Sequence, residues 1–255
     1  MAATADAAGT PIRRIRSAKL SEVVARTLLD YILDERLTAG DSLPNERDTI
    51  AWLGVARGSL REALRLLEAY GVITIKPGPG GGPVVRNPDP ETFAGSTTML
   101  MQYMRIPFGE VLTARLAFEP PVAAAAAEHR TELQLAQLRS SVEEMALAVG
   151  DRERFMPPYN AFHHTLAEST GNRVLLMAGV TFRNVWDLVH AEVEQSRDSL
   201  VATTEAHRRL VDAIGRRAAA DAAEACRKHL TGYRTWLERH QPDLLARPVV
   251  WTGTT

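Results

Sequence analysis

Cysteine is nearly absent from this sequence, with Cys226 the single example among 255 residues. One cysteine forms no internal disulfide bond, which excludes a disulfide-stapled secreted fold and suggests a reducing compartment. Apolar runs of membrane-spanning length are also lacking, and the N-terminal residues have no charged segment followed by an apolar one. The sequence therefore predicts a cytoplasmic protein with no membrane partner.

A charge excess of either sign is lacking as well, since 30 lysine and arginine residues face 31 aspartate and glutamate residues. The formal net charge of -1 argues against indiscriminate binding to nucleic acid. Residues 1–88 carry 12 basic and 10 acidic side chains, and the remainder carries 18 and 21. The placement of charge must therefore matter more than its sum. The length and the 45% apolar content allow a sizeable core and predict two domains.

Residues 43–85 present the most informative pattern, because two short helices and a glycine-rich hairpin follow one another. Asn45 has the residue type and the position of an N-cap for the first helix. Gly54 is expected to end that helix. Trp52 and Leu53, just before this glycine, are expected to face inward. The pattern thus predicts a short helix followed by a tight turn.

The second helix of this stretch has two different faces. Its apolar face recurs at helical spacing and comprises Leu60, Ala63, Leu64, Leu66, Leu67 and Tyr70. Arg57, Arg61 and Arg65 lie four residues apart on the opposite face. After Gly71, residues 72–75 favour a strand, and the turn KPGPGGGP lets the chain pair back on itself. Helix, turn, helix and hairpin together predict a winged helix-turn-helix.

The three arginines of this helix have two interpretations. A charged helix face is often no more than solvated surface. Here, however, the arginines follow a short helix and precede a glycine-rich hairpin, which is where a helix-turn-helix presents side chains to base edges. A guanidinium group binds guanine or phosphate through two parallel hydrogen bonds. We therefore expect this helix to contact double-stranded DNA.

The composition of the chain changes on either side of this region. Residues 1–11 are small and polar and are expected to form a disordered leader. The winged helix-turn-helix domain is predicted over 12–86, with a supporting helix over 20–36. Pro88 and Pro90 in the short segment 87–90 disfavour helical geometry in the residues before them, so this segment is predicted to be a linker.

Beyond the linker, alanine, leucine, arginine and glutamate recur with helical period up to residue 240. Seven helices are predicted, over 91–104, 108–129, 132–149, 153–169, 173–195, 199–217 and 219–239. They predict an all-α domain over 91–240, followed by a C-terminal tail over 241–255. The expected fold class is mainly α, an N-terminal winged helix-turn-helix followed by an all-α helical bundle.

The stretches LPNER, GVARGSLREALRLLEAYGVI and KPGPGGG resemble the N-terminal domain of the GntR family of bacterial transcription regulators. The resemblance implies contacts with the operator by Arg47, Arg57, Gly58, Arg61 and the wing-tip Gly78. Asn45 departs from the family's pattern by replacing a commoner small residue, and Ala56 stands where a hydroxyl residue often caps the recognition helix. A capping box of Ser59 and Glu62 would offer that helix an alternative start, one turn later.

The segment FHHTLAESTGN resembles the FCD ligand-binding domain that accompanies this head in the FadR branch of the family. Many members of that branch hold a divalent metal with three histidines and an aspartate. The matching histidines are His163, His207 and His229. Tyr159 stands at the usual place of the aspartate, and neighbouring Asn160 offers a neutral carbonyl oxygen. The resemblance therefore implies zinc or nickel bound by the three histidines and Asn160.

The residues themselves support such a site more weakly. Each of the three histidines adjoins an apolar helical stripe, so they can converge inside a bundle, and imidazole suits zinc or nickel. A lone histidine on such a face is more often an ordinary core residue. Arg115 likewise has two interpretations, because it either pairs with Glu119 one turn on or, if buried, binds a small organic carboxylate of the kind the family senses.

These patterns predict a homodimeric transcription regulator, a repressor in its simplest form, that binds a pseudo-palindromic operator and responds to a small organic acid effector. One alternative is a regulator with a vestigial pocket that acts through dimerisation alone. Another is an enzyme in which a metal held by three histidines activates water. Against the enzyme, no carboxylate is placed as a general base beside the histidines, and a DNA-binding head would be an odd part of a hydrolase.

Overall fold

The computed structural model describes residues 19–78, 80–87, 90–190, 193 and 195–251. Within these residues the chain forms eleven helices and one two-stranded sheet. It divides into two compact units, residues 1–88 and 89–255. The predicted leader over 1–11 and the central residues of the predicted linker lie outside the described residues.

The first unit is a winged helix-turn-helix, as predicted. Its elements are α1 (Leu20–Asp34), α2 (Glu46–Leu53), α3 (Arg57–Ala69), β1 (Ile73–Lys76) and β2 (Gly82–Val85). The Asn45 side chain caps α2 by accepting a hydrogen bond from the N–H of Asp48 at 3.0 Å. Gly54 ends α2 with a left-handed φ of 64°, which glycine adopts without steric cost. α3 begins directly after Ala56 with no side-chain cap, so the alternative start at Ser59 is wrong.

The core of this head lies where α1 and α3 meet the hairpin. Its buried members include Val24, Leu28, Ile32, Leu43, Leu60, Leu64, Leu67, Ile73 and Val85. Trp52 and Tyr70 do not belong to it, contrary to the prediction. Trp52 is half exposed and packs its ring against Tyr31, with centroids 5.1 Å apart. Tyr70 is 76% exposed because α3 ends there, so it no longer follows the helical face.

The wing is an antiparallel hairpin whose register runs from Ile73 opposite Val85 to Lys76 opposite Gly82. A Cβ atom at Gly81 would overlap the carbonyl oxygen of Lys76, so glycine alone fits at that point of the turn. The glycine-rich sequence of the wing is therefore a steric requirement of its tight turn.

The second unit is a helical bundle in which all seven predicted helices are present. They are α4 (Pro90–Tyr103), α5 (Phe108–His129), α6 (Glu132–Leu147), α7 (Arg152–Glu168), α8 (Arg173–His190), α9 (Arg197–Gly215) and α10 (Ala219–His240), followed by α11 (Pro242–Ala246). None of the helices in the described ranges is long and apolar enough to cross a membrane.

Residues 241–251 belong to this bundle, whereas a tail was predicted from 241. Leu244 on α11 and Val249 beyond it are buried, and the N–H of Val249 donates to the carbonyl oxygen of Ile106 at 2.9 Å. The N–H of Phe108 donates in turn to the carbonyl oxygen of Arg247 at 2.9 Å. Burial of the apolar side chains holds this segment to the bundle, and a five-residue helix is too short to show a helical period.

α5 is the central helix, since it packs along α10 and also contacts α7, α8 and α9. The core around it includes Phe108, Leu112, Leu138, Met145, Phe155, Phe162, Ile214, Leu230 and Leu237. Cys226 on α10 lies in the same core with 1% of its surface exposed. Burial raises the pKa of its thiol, because a thiolate is poorly solvated there.

Candidate DNA interface and effector site

The residues predicted to contact DNA are all exposed on the head. The side chains of Arg47, Arg57 and Arg61 are 91%, 67% and 57% exposed, respectively. Gly58 at the start of α3 and Gly78 at the tip of the wing are also exposed. Arg57 and Arg61 lie one turn apart, so their guanidinium groups project from the same face of α3.

One carboxylate holds two of the three arginines of α3, Arg57 and Arg61. Glu46, the first residue of α2, accepts a hydrogen bond from Nε of Arg57 at 2.6 Å and from Nε of Arg61 at 3.1 Å. The hydrogen bond from Arg57 is the main reason why the pKa of Glu46 lies below its ordinary value. Sequence reasoning missed this residue, because the contact depends on how α2 and α3 cross. Glu46 precedes Arg57 by 11 residues and lies on a different helix, so the spacing gives no sign of the contact.

The three predicted metal-ligating histidines come together between α7, α9 and α10. His207 Nδ1 lies 2.7 Å from the carbonyl oxygen of Thr203. A carbonyl oxygen only accepts, so Nδ1 carries the proton and Nε2 of the neutral ring keeps a free lone pair. That Nε2 lies 3.3 Å from Nε2 of His163. Two imidazole nitrogens bound to one tetrahedral zinc would be about 3.3 Å apart, so this pair is spaced like two ligands of one ion.

His229 adjoins this pair without completing a site. Its ring centroid lies 4.6 Å from that of His207. Within the described part of the chain, no group of three or more histidine, cysteine, aspartate or glutamate side chains is arranged to hold a metal ion.

All three histidines are neutral at pH 7. Burial lowers the pKa of His207 to about 4. Burial, and next the neighbouring His207, also lower the pKa of His163 and of His229 well below the ordinary value. His207 is 1% exposed, whereas the other two are partly exposed. Neutral imidazole is the form that binds a metal, so the cluster has the protonation state that a metal site needs.

Tyr159 stands at the position where the family's aspartate ligand is expected, and Asn160 is the next residue. The buried ring of Tyr159 contacts those of His163 and His207, with centroids 4.7 and 5.5 Å away. Burial raises the pKa of its phenol, so Tyr159 stays neutral. Asn160 donates from Nδ2 to Asp187 at 3.2 Å, and its buried Oδ1 has no hydrogen-bond partner among the described residues. The described hydrogen bond of Asn160 is thus with α8 rather than with a histidine.

Arg115 pairs with Glu119, as the first interpretation expected, and is 3% exposed, which is the condition that the second required. Its Nε donates to Glu119 at 2.5 Å, and its guanidinium carbon lies 4.1 Å from the ring centroid of Trp186. Burial disfavours the charge, but Glu119 and Tyr159 stabilise it and raise the pKa of Arg115. Nη1 is buried and has no partner among the described residues. One guanidinium nitrogen thus remains available for a ligand.

The spaces next to Arg115 are small. One cavity, of about 20 Å³, is also lined by Glu119 and His163, and another, of about 10 Å³, by Gln195 and His229. Each has room for about one water molecule. Sequence reasoning missed Trp186 and Gln195, since neither belongs to a motif and both reach the site through the fold. The site as described holds polar groups but little free volume.

An exposed arginine pair on a helix-turn-helix, joined in one chain to an all-helical domain with a buried polar cluster, defines a DNA-binding regulator. Residues 20–81 match the family described as bacterial regulatory proteins, gntR family, and residues 110–232 match the FCD domain. The chain belongs to the GntR family and carries an FCD domain. It is a transcriptional regulator and not an enzyme, so the hydrolase alternative is wrong.

Relatives match over nearly the whole chain. The HTH-type transcriptional repressor NanR of Cronobacter sakazakii is 30% identical over 91% of this chain and 91% of its own length. The repressor of the same name from Escherichia coli K12 is 30% identical over 88% and 87%. Among solved structures, Streptococcus agalactiae GntR has a TM-score of 0.63 at 24% identity and covers 84% of this chain and 99% of its own. That likeness concerns the fold.

Proposed function

We propose that this protein is a homodimeric transcriptional repressor of the bacterial cytoplasm that binds a pseudo-palindromic operator and responds to a small organic acid. The observation that carries the DNA-binding part is the exposed pair of Arg57 and Arg61, both held at Nε by Glu46. Glu46 contacts Nε, so the terminal nitrogens of each guanidinium, which bind guanine O6 and N7, are not used in that contact. The similar repressors named NanR support the direction of regulation.

The ends of the other elements complete this DNA-binding surface. The N-cap residue of α3 is Ala56, whose side chain cannot accept a hydrogen bond. The first N–H groups of α3 therefore have no capping side chain. Gly58 in that first turn lacks a side chain, which lets a DNA backbone approach closely. Arg47 on α2 and the glycine-rich tip at Gly78 flank the same reading helix. We assign phosphate contacts to these flanking parts and base contacts to the two arginines.

Removal of the carboxylate that holds the arginines has an expected result. Glu46→Gln should keep or raise the affinity for random duplex, because one negative charge near the DNA is lost. It should lower discrimination in favour of the operator about tenfold, because the guanidinium groups lose their fixed orientation. Fluorescence anisotropy titrations with a duplex selected by the wild type and with random duplex measure both. Asp34→Asn is the control, since it also removes one exposed acidic charge from the head, at the end of α1. Unchanged discrimination in Glu46→Gln would contradict the positioning role.

Dimerisation is assigned to the helical domain. An exposed apolar group lies at the end of α4. It comprises Met99, Leu100 and Tyr103 of the helix and Met104 just after it, which are 52%, 56%, 86% and 61% exposed. Exposed apolar patches of this kind mark protein interaction sites. A two-fold dimer would match the symmetry of a palindromic operator.

The helical domain alone should therefore remain a dimer. Residues 89–255 have their own core and lack the head, so they should stay helical and associate at micromolar concentration. Light scattering of this fragment measures its mass, and Tyr103→Lys on α4 should shift it toward the monomer because a charge replaces an exposed ring. A monomeric fragment would mean that the heads or the DNA supply the association.

The effector is proposed to bind at the buried polar cluster. His163 and His207, joined by His229, would hold a divalent zinc or nickel ion, with Asn160 as the suggested oxygen ligand. Such a metal, when bound, supplies positive charge for a carboxylate. Three neutral imidazoles leave that charge uncompensated, and Nη1 of Arg115 is free to receive a second carboxylate oxygen. The 3.3 Å spacing of the His163 and His207 nitrogens supports this arrangement.

A second candidate function is a regulator with a vestigial pocket. Two observations favour it: the cavities next to Arg115 hold about one water molecule each, and the bulky Tyr159 replaces the family's aspartate. In that case dimerisation is the only role of the helical domain. Thermal unfolding separates the two candidates, because a ligand that binds the folded state alone raises the melting temperature.

A further inference from the structure

A groove of about 830 Å³ lies between α9 and α10, and His229 of the histidine cluster is one of the residues that line it. Small residues of both helices line it, among them Ala202, Ala206, Ala225 and Gly232. A Cβ atom at Gly232 would meet no atom within 4 Å, so the missing side chain leaves open space. The volume of the groove is typical of sites that hold small organic molecules.

The inner end of the groove reaches the histidine cluster. Thr203, His229 and Tyr233 line both the groove and the smaller cavity beside Arg115. That cavity has room for about one water molecule. An acid that reaches Arg115 must therefore place most of its atoms elsewhere, and the groove is the adjoining space that is large enough.

The groove also contains an unpaired cation. Arg209 on α9 is exposed, and within the described ranges its guanidinium has no hydrogen-bond or ion-pair partner. Arg209 lines the same groove as His229 of the histidine cluster. Arg216 and Lys228 line the groove too, but each lies within ion-pair distance of a carboxylate. Arg209 is thus the cation that remains for an acidic ligand.

We propose that the effector reaches the buried cluster through the α9–α10 groove and that most of its atoms bind in this groove. Arg209 would bind an acidic group of that effector. The ligand class is an organic acid whose body carries hydroxyl or other hydrogen-bond donors, because Asp212 offers an acceptor one turn along α9 from Arg209. This inference rests on the proposed response to an organic acid and adds where that acid enters and which residue receives it.

Two variants of the full chain test the groove. Gly232→Leu fills the open space with a side chain that a helix accepts more readily than glycine. Arg209→Gln removes the unpaired charge from the surface and leaves the core intact. The matched controls are Thr231→Leu, one residue away on α10, and Arg208→Gln, one residue away on α9. Neither control residue lines the groove.

Isothermal titration calorimetry with acetate, hexanoate, gluconate and glucuronate gives the readout. We expect the wild type to bind gluconate or glucuronate more tightly than acetate. Gly232→Leu and Arg209→Gln should each weaken that binding at least about tenfold, and the controls should match the wild type. Light scattering of every variant should show the mass of the wild type.

The remaining outcomes overturn the inference in distinguishable ways. If the wild type binds an acid and both groove variants bind it equally well, the groove is not its seat, although the effector response stands. Tighter binding of acetate than of the larger acids would likewise show that the groove does not bind the effector. If none of the four acids binds the wild type, the effector proposal fails and this inference with it. If Gly232→Leu changes the mass while Arg209→Gln keeps full affinity, the groove is a subunit contact instead.

Discussion

Arg57→Ala and Arg61→Ala should each abolish the preference of this protein for its operator over random duplex. Loss of a bidentate contact between arginine and guanine costs about 1 to 3 kcal/mol of discrimination at each half-site. A symmetric dimer makes the same contact twice, so the two losses combine. Both side chains are exposed, and their removal touches no core residue, so the head should stay folded. A duplex selected by the wild type from a random pool, titrated against random duplex at fixed salt, measures the ratio.

Arg65→Ala is the matched control for these two variants. Arg65 lies one turn beyond Arg61 on α3, is exposed, and carries the same charge. Its loss should weaken all duplexes equally, as expected of a phosphate contact, and should leave the ratio unchanged. Circular dichroism confirms that each variant keeps its helices. A ratio that is the same in Arg57→Ala, Arg61→Ala and the wild type would refute α3 as the reading helix.

His207→Ala should remove bound metal and carboxylate affinity together. His207 is the middle of the cluster, because its Nε2 faces His163 and its ring lies beside that of His229. Without it, the two remaining histidines lack the nitrogen that brings them to one ion. Elemental analysis of protein purified without chelator measures the metal, and calorimetry with mono- and dicarboxylates measures the anion. His164→Ala, at an exposed histidine of the same helix as His163, should change neither.

Two further variants separate the metal from the anion. Arg115→Ala should keep the metal and lose the carboxylate, because the guanidinium lies beside the histidines and contacts Glu119 rather than a ligand nitrogen. Tyr159→Asp should bind metal more tightly and the anion more weakly, since the new carboxylate neutralises part of the ion's charge. In metal-free protein the same variant should melt earlier, because a large buried ring is lost and a charge is buried.

Measurement of the metal content can contradict the proposed metal site. If the wild type contains no stoichiometric ion even after reconstitution with zinc or nickel, the three histidines are core residues. The 3.3 Å contact between His163 and His207 would then be a hydrogen bond from one neutral ring to the other. In that case the vestigial-pocket candidate becomes the better description of the helical domain.

Much of the fold was predictable because its signals are local. Asn45 caps α2 and Gly54 ends it, as their residue types indicated, and each requires no knowledge of the tertiary structure. The bundle helices were predicted from period and from the residues that interrupt it. Thr131 closes a capping box with Gln134 at the start of α6, a device that is also local. Such signals can be read from the sequence because they involve residues within about one helical turn of each other.

The features that the sequence did not predict depend mainly on contacts between helices and on where a helix ends. Glu46 and Arg57 meet because α2 crosses α3, and nothing in either helix alone states the crossing angle. Tyr70 continues the apolar period of α3 in sequence, yet it is exposed because the helix ends there. The three histidines were found through a resemblance to a family. The Trp186 ring over Arg115 was not found, since aromatic residues on a bundle helix are usually core.

The single cysteine gives this protein a built-in reporter of bundle opening. Cys226 is 1% exposed, and the charges of Glu119 and Arg115 act on it, so it lies close to the proposed effector site. A thiol reagent reacts with the thiolate and needs access, and burial denies both in the closed bundle. The rate of labelling therefore measures how often the helices around the site separate. Any molecule that binds and closes the bundle should slow that rate, without a probe being introduced by mutation.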